Sequence, residues 1–193
     1  MRVKFPKLKL TVTKKEGHCY HNYNVGDEFI FDDFTHPPKH FCAGVYQSAF
    51  PCAYALTFGA EFPFSENIYS ILTTCPDGGK MEFKTEILDD EGSVKFKPKP
   101  KDHKGPNPKK LIVEVYKRKG ECFYEYKEGD KFEFTGLKTP DGFCGAAYHM
   151  LFPVLFALNF GAKFPFMDNP NSLNTATCPD NGNVIFKVIR VES

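Results

Sequence analysis

One block of sequence occurs twice in this chain, as ALTFGAEFPF at residues 55–64 and as ALNFGAKFPF at residues 157–166. A Phe-Pro pair precedes each copy, at residues 50–51 and 152–153, and a Cys-Pro-Asp triplet follows each copy, at residues 75–77 and 178–180. A repeated block of this length indicates a duplicated domain.

Two homologous modules are predicted from this repeat, residues 1–90 and residues 110–193, with a linker at residues 91–109. Each module opens with apolar residues that alternate with polar ones, which is typical of a half-buried strand. These residues are Leu8, Leu10 and Val12 in the first module and Leu111, Val113 and Val115 in the second. A second strand with Phe29 and Phe31 on its inner face is expected after the Gly26-Asp27 turn.

A helix is predicted to begin at Ala43, because apolar and small residues follow at helical spacing. Pro51 lacks an N–H group, so we expect a break at Phe50 and a second helix after it. Gly59 is expected to end the helix in the left-handed conformation. With a closing strand at residues 81–88, each module is predicted as β-β-α-β. The whole chain is then an α+β fold whose two modules form a pseudo-two-fold pair.

The composition indicates a folded chain with a phenylalanine-rich core, since it has 21 Phe and no Trp among 193 residues. The formal net charge of +1 argues against a dedicated nucleic-acid binder. No apolar run approaches the roughly 18 residues of a membrane span, and residues 1–10 lack the apolar segment of a signal peptide. We therefore expect a cytoplasmic monomer in which the duplication takes the place of a dimer, with no nucleic-acid or membrane partner.

The predicted linker is strongly basic, with seven Lys and one Asp between residues 95 and 110. Such a segment is either a basic arm for an acidic partner or a solvated, semi-extended connection between modules. The second interpretation is favoured, because Lys, Pro and Gly dominate the segment.

Comparison of the two halves selects the side chains that both modules retain. The shared cysteines form three pairs, namely Cys19 with Cys122, Cys42 with Cys144, and Cys75 with Cys178. The shared carboxylates form two pairs, Asp27 with Asp130 and Asp77 with Asp180. Cys52 has no counterpart, since Val154 stands at its position, and no His is shared.

Three cysteines per module are candidates for a metal site, in which thiolates would bind zinc or iron with a fourth ligand unidentified. The expected sets are Cys19, Cys42 and Cys75, and Cys122, Cys144 and Cys178. They are predicted to approach one another where strand and helix ends meet. Against a metal site, the chain lacks a Cys-x-x-Cys motif, and buried packing of free cysteines is the favoured interpretation.

A thiol-dependent enzyme is a second interpretation. Cys42 and Cys144 precede the predicted helices, where free N–H groups and the helix dipole stabilise a thiolate. Asp27 or Asp77 would then serve as a base or orient a substrate. Turn chemistry explains the same aspartates, because a short carboxylate in Gly-Asp or Pro-Asp-Gly bonds the nearby backbone. The repeated Phe residues raise a third idea, an aromatic ligand pocket, although core packing suits them better.

These motifs resemble a small uncharacterised family of cysteine-containing domains from bacteria and archaea, commonly single-repeat proteins. The resemblance rests on Gly17 and Cys19, on Gly26-Asp27, on Phe41-Cys42, on Phe50-Pro51 and on Cys75-Pro76-Asp77, and it covers both halves. It implies the fold and the duplication, and no activity. The family often has a Gly-His pair before Gly-Asp, whereas Tyr23 and Tyr126 take the His position here.

The expected function is therefore a non-enzymatic module that binds a metal or small ligand through the matched cysteines and neighbouring aspartates. A small cysteine-dependent or redox enzyme remains one alternative. A purely structural protein with buried cysteines is the other.

Overall fold

The computed structural model describes residues 5–102 and 107–192, which fall into two compact units, Met1–Gly105 and Pro106–Ser193. In the first unit the elements are β1 (Leu8–Lys15), β2 (Glu28–Phe31), α1 (Ala43–Thr57), β3 (Ser70–Thr74) and β4 (Met81–Ile87). In the second unit they are β5 (Lys110–Arg118), β6 (Lys131–Thr135), α2 (Gly145–Asn159), β7 (Ser172–Thr177) and β8 (Val184–Arg190). The predicted α+β fold with two similar modules is confirmed.

Each module is a four-stranded antiparallel sheet, with strand order β2-β1-β4-β3 in the first and β6-β5-β8-β7 in the second. The sequence prediction of three strands per module was wrong, because β3 and β7 were read as loop. β3 is a short edge strand whose burial does not alternate along its length, so it lacks the period-two signal of β1.

One helix covers one face of each sheet, and the apolar residues that alternate along the strands fill the space between them. Leu8, Leu10 and Val12 are at most 1% exposed, which confirms their predicted inner face. The largest side chains in the core are phenylalanines in matched positions, and each is at most 1% exposed. They are Phe31, Phe62 and Phe83 in the first module, and Phe134, Phe164 and Phe186 in the second.

The predicted break at Phe50 is absent, since α1 runs without interruption through Pro51 and α2 through Pro153. A proline inside a helix leaves the carbonyl four residues earlier without its donor. That residue is Gln47 in α1 and His149 in α2, and both are exposed, so water can replace the lost donor. Packing of the helix against the sheet then outweighs the local cost of the proline.

The glycine prediction is confirmed, because Gly59 ends α1 with φ of +81° and Gly161 ends α2 with φ of +88°. The Ala60 N–H donates to the Ala55 carbonyl at 3.0 Å, and the Gly59 N–H to the Leu56 carbonyl at 3.0 Å. This pair of bonds is a Schellman motif, which satisfies the last carbonyls of the helix.

The segment that follows β4 hydrogen-bonds to the first module over residues 93–99. The Lys95 N–H donates to the Ile87 carbonyl at 2.9 Å, and the Asn67 side chain donates to the Lys95 carbonyl at 2.9 Å. The Lys99 N–H reaches the Glu66 carbonyl at 3.1 Å. Much of the predicted linker is therefore attached to the first module, while residues 103–106 lie outside the described residues.

In the second module, a side chain from the last strand stabilises the end of the helix. Arg190, which stands at the position of Ile87, donates through Nη1 to the carbonyls of Leu158 at 3.1 Å and Ala162 at 3.0 Å. Its other terminal nitrogen donates to the Asn171 side chain. A cation at the carboxyl end of α2 also interacts favourably with the helix dipole.

Candidate functional site: a thiol-lined cavity in the second module

Three segments of the second module meet around one cavity of about 310 Å³. They are the loop between β5 and β6, the start of α2 and the turn between β7 and β8. Each segment contributes one of the three matched cysteines, so Cys122, Cys144 and Cys178 all line this cavity. The volume lies at the lower end of the range for small-molecule pockets, roughly 300 to 1,000 Å³.

The rest of the lining is aromatic and small, with acidic groups at two positions. The aromatic residues are Phe123, Tyr124, Tyr126 and Phe186, the small apolar ones are Ala146, Ala147 and Val184, and the acidic ones are Glu121 and Asp180. Phe123 is 95% exposed, so it lies at the mouth of the cavity, whereas Phe186 is 1% exposed and forms part of its inner wall.

Tyr126 connects the loop to the start of α2. Its hydroxyl accepts a hydrogen bond of 2.8 Å from the Cys144 backbone N–H and donates one of 3.2 Å to the Gly142 carbonyl. Cys144 is the N-cap residue of α2, and its own side chain forms no capping hydrogen bond. The tyrosine therefore fixes the position of Cys144 and of the first helical turn.

The first module contains the same contact, because the Tyr23 hydroxyl accepts a hydrogen bond of 2.9 Å from the Cys42 N–H. Burial raises the pKa of both tyrosines, and the hydrogen bond from the cysteine N–H offsets part of that rise. Both hydroxyls are consequently protonated and uncharged at neutral pH.

In each module, the thiol of the Cys-Pro-Asp turn, Cys75 or Cys178, accepts a backbone hydrogen bond close to it in the chain. The Val184 N–H donates to Cys178 Sγ at 3.3 Å, and this thiol faces the Asp180 carbonyl at 3.4 Å. In the first module the Asp77 N–H donates to Cys75 Sγ at 3.4 Å. Among residues 5–102 and 107–192, no group of three or more His, Cys, Asp or Glu side chains is arranged to hold a metal ion. The structure thus brings the cysteines of the second module to one cavity without forming a metal-binding group.

Three of the four matched aspartates have structural partners. The Asp27 carboxylate accepts from the Asn24 N–H at 2.8 Å, and that of Asp130 accepts from the Lys127 N–H at 2.7 Å, as turn chemistry predicts. Asp77 pairs with Lys80 at 3.2 Å. Asp180 differs from these three, because it lines the cavity.

Cys52 has a structural role in the core of the first module. It is 5% exposed, and burial raises the pKa of its thiol to about 12. A thiol in this environment is protonated at neutral pH and therefore unreactive.

The residues that line the cavity differ in size between the modules. Ala147 and Val184 take the positions that Val45 and Met81 occupy in the first module, and all four are at most 2% exposed. The first module therefore places larger side chains at both positions. Its Gly44 also lies close to the Cys-Pro-Asp turn, since a Cβ atom there would be 3.1 Å from Pro76 Cγ. Ala146 is the equivalent residue of the second module.

A second cavity, of about 300 Å³, lies in the first module beside the end of α1. Tyr69, Asp89 and Lys95 are among its lining residues. The Asp89 carboxylate accepts the N–H groups of Glu91 and Ser93, and the Lys95 ammonium lies 4.8 Å from the centre of the Tyr69 ring. These polar groups are already paired within the protein, so this cavity has less capacity for a ligand.

Comparisons with protein-family models, with curated proteins and with solved structures each gave no match. The resemblance to the family of cysteine-containing domains therefore stays a prediction from the sequence. No helix in the described part of the chain is long and apolar enough to cross a membrane.

Sequence reasoning missed the role of the tyrosines and the origin of the cavity. Tyr23 and Tyr126 are matched between the halves, so the internal comparison contained the signal for a shared contact. The cavity is lined by core side chains from distant parts of the chain, among them Ala147 and Val184, and no local pattern marks such a pair.

Proposed function

We propose that the second module binds a small, largely apolar molecule in the cavity lined by Cys122, Cys144 and Cys178. The observation that carries this proposal is the meeting of three thiols and several aromatic rings around one open space of ligand size. Binding through a metal ion has less support, because the described residues contain no suitable group of ligands.

The chemistry of the lining favours binding over structural packing alone. Thiols and aromatic rings are weakly hydrated, so an apolar ligand displaces water from them at little cost. The α2 terminus behind them is held by Tyr126, which pre-forms the site and lowers the entropy cost of binding.

The test is a titration of the full chain with neohexyl alcohol, a compact branched alcohol, followed by nitrogen-15 amide spectra. Signals of Cys122, Cys144 and Val184 should shift in a saturable way. Bound alcohol should also slow alkylation of the three lining thiols by iodoacetamide, whereas alkylation of Cys42 and Cys75 in the first module should be unchanged. Saturable shifts confined to the first module, or none in either module, would contradict the proposal.

The chain itself supplies a matched pair of variants. Ala147→Val with Val184→Met installs the residues of the first module and should abolish binding by filling the cavity. Val45→Ala with Met81→Val makes the reverse exchange in the first module and should leave binding in the second unchanged. Retained binding in the first of these double variants would place the ligand elsewhere.

A further inference from the structure

Three positions at the cavity mouth and beside it differ in their summed formal charge between the two modules. Glu121 and Asp180 line the cavity, and Asn183 precedes the lining residue Val184. The equivalent residues of the first module are His18, Asp77 and Lys80. Counted with neutral His, these three positions have a formal charge of zero in the first module and −2 in the second.

The difference at position 183 also changes the partner of the shared aspartate. In the first module Lys80 Nζ lies 3.2 Å from the Asp77 carboxylate and neutralises it. An asparagine cannot do so, and no salt bridge to Asp180 occurs among the described residues. Asp180 is exposed and, among the described residues, has no lysine or arginine partner to neutralise it.

The aromatic lining favours the same sign of ligand charge. Phe123, Tyr124 and Tyr126 follow one another along the wall, with ring centres 6.0 Å and 5.6 Å apart. The face of an aromatic ring attracts a cation, and sets of such rings recognise quaternary ammonium groups. No Lys, Arg or His is among the residues that line the cavity.

Three positive features lie nearby. Lys119 is exposed, its backbone N–H donates to the Asn183 carbonyl at 2.7 Å, and it stands where the first module has Glu16, but it is not among the residues that line the cavity. The start of α2 has the partial positive charge of a helix N-terminus, equivalent to roughly half a unit, against two full carboxylate charges. The Arg118 side chain donates to the backbone carbonyls of Gly120 and Tyr126 behind the loop. Lys15 gives the first module a cation at the same position, so Arg118 does not contribute to the difference between modules.

We propose that the cavity of the second module selects small organic cations, with Glu121 and the unpaired Asp180 as the residues that set this preference. This inference rests on the proposed function, because it names the class of ligand for the same cavity. Asn183 acts indirectly, by leaving Asp180 without a lysine partner.

The test compares three molecules of nearly the same shape. Choline is the cation, and neohexyl alcohol has carbon in place of the quaternary nitrogen. The anion is tert-butylacetate, the carboxylate 3,3-dimethylbutanoate. We expect choline to bind about tenfold more tightly than the alcohol. Raising the salt concentration should weaken choline binding and leave alcohol binding unchanged, because salt screens only the charged interaction.

Variants that copy the first module isolate the charge. Glu121→His with Asn183→Lys should lower choline affinity most of the way to that of the alcohol, since the aromatic rings remain, without changing alcohol affinity. A lysine is tolerated at this position, since Lys80 Cδ packs 3.9 Å from the Cβ position of Gly17, the counterpart of Gly120. The salt dependence of the wild-type protein gives the same answer without any substitution.

The outcomes separate the two proposals. Equal affinity for choline and the alcohol, or tightest binding of tert-butylacetate, would overturn the cation preference and leave the binding function intact. Absence of binding by all three molecules would overturn both.

Discussion

The Tyr126 hydroxyl lies 2.8 Å from the backbone nitrogen of Cys144, and Tyr23 repeats this contact with Cys42 at 2.9 Å. One side chain thus links the cysteine-bearing loop to the first turn of the helix in each module. Because the same contact occurs twice in one molecule, each module serves as the reference for the other.

Substitution of Tyr126 by Phe should loosen the start of α2. The Cys144 N–H loses its acceptor, and a hydrogen bond of this kind contributes about 1 kcal/mol. Amide exchange at Cys144 should accelerate by roughly fivefold, while exchange at Cys42 stays unchanged. Tyr23→Phe should give the reverse pattern, and equal acceleration at both cysteines would show that the contact is not local.

Two glycines of the second module should respond oppositely to alanine. Gly161 has φ of +88°, so Gly161→Ala places a side chain in the left-handed region and should destabilise the module by about 1 kcal/mol. Gly145 begins α2 with open space around its Cβ position. Gly145→Ala should therefore be neutral or stabilising by up to about 1 kcal/mol. Urea unfolding of both variants measures the contrast, and a stabilising Gly161→Ala would contradict it.

Alkaline pH should destabilise the protein through four tyrosines that are buried or half-buried. Burial raises the pKa of Tyr23, Tyr46, Tyr54 and Tyr126 above the ordinary value of 10.0. Above that value the unfolded chain loses protons that the folded chain retains. The contribution of these tyrosines to the free energy of unfolding is therefore fully present below pH 10.0 and is lost as the pH rises further. Tyrosinate absorbance should show a late-titrating fraction, and that fraction should shrink in Tyr23→Phe and Tyr126→Phe.

Cys52 should be the slowest thiol to react with iodoacetamide at neutral pH. Its thiol has a pKa of about 12, so the reactive thiolate is a minute fraction, which grows about tenfold per pH unit. Peptide mass spectrometry after timed labelling measures all seven thiols together. Labelling of Cys52 as fast as Cys42 would show that the first module opens readily.

The sequence predicted the parts of the fold that local patterns encode. Alternation in β1 and β5, the glycine that ends each helix and the duplication itself were all recoverable from short stretches. The helix through Pro51 was not, because helix–sheet packing compensates for the proline and only the tertiary structure shows that packing. The edge strand β3 was missed for a related reason, since its pairing with β4 defines it more than its own pattern does.

The candidate site was predictable in its location and unpredictable in its chemistry. Cysteines at loop and helix junctions indicated where the segments meet. The size of the lining side chains at Ala147 and Val184, and the replacement of a lysine by Asn183 beside Asp180, are not marked by any local pattern. These residues are informative only when compared with Val45, Met81 and Lys80 in the folded modules.

The different residues at the matched positions 87 and 190 have an evolutionary consequence. Duplicated sequences can exchange segments by recombination, which keeps the copies alike. An exchange that replaced Arg190 with the Ile87 of the first copy would remove the donor for the Leu158 and Ala162 carbonyls. The reverse exchange would place an arginine at position 87, where the backbone carbonyl already accepts the Lys95 N–H. The end of the last strand is thus matched to contacts within its own copy, so this segment is not freely interchangeable between the two halves.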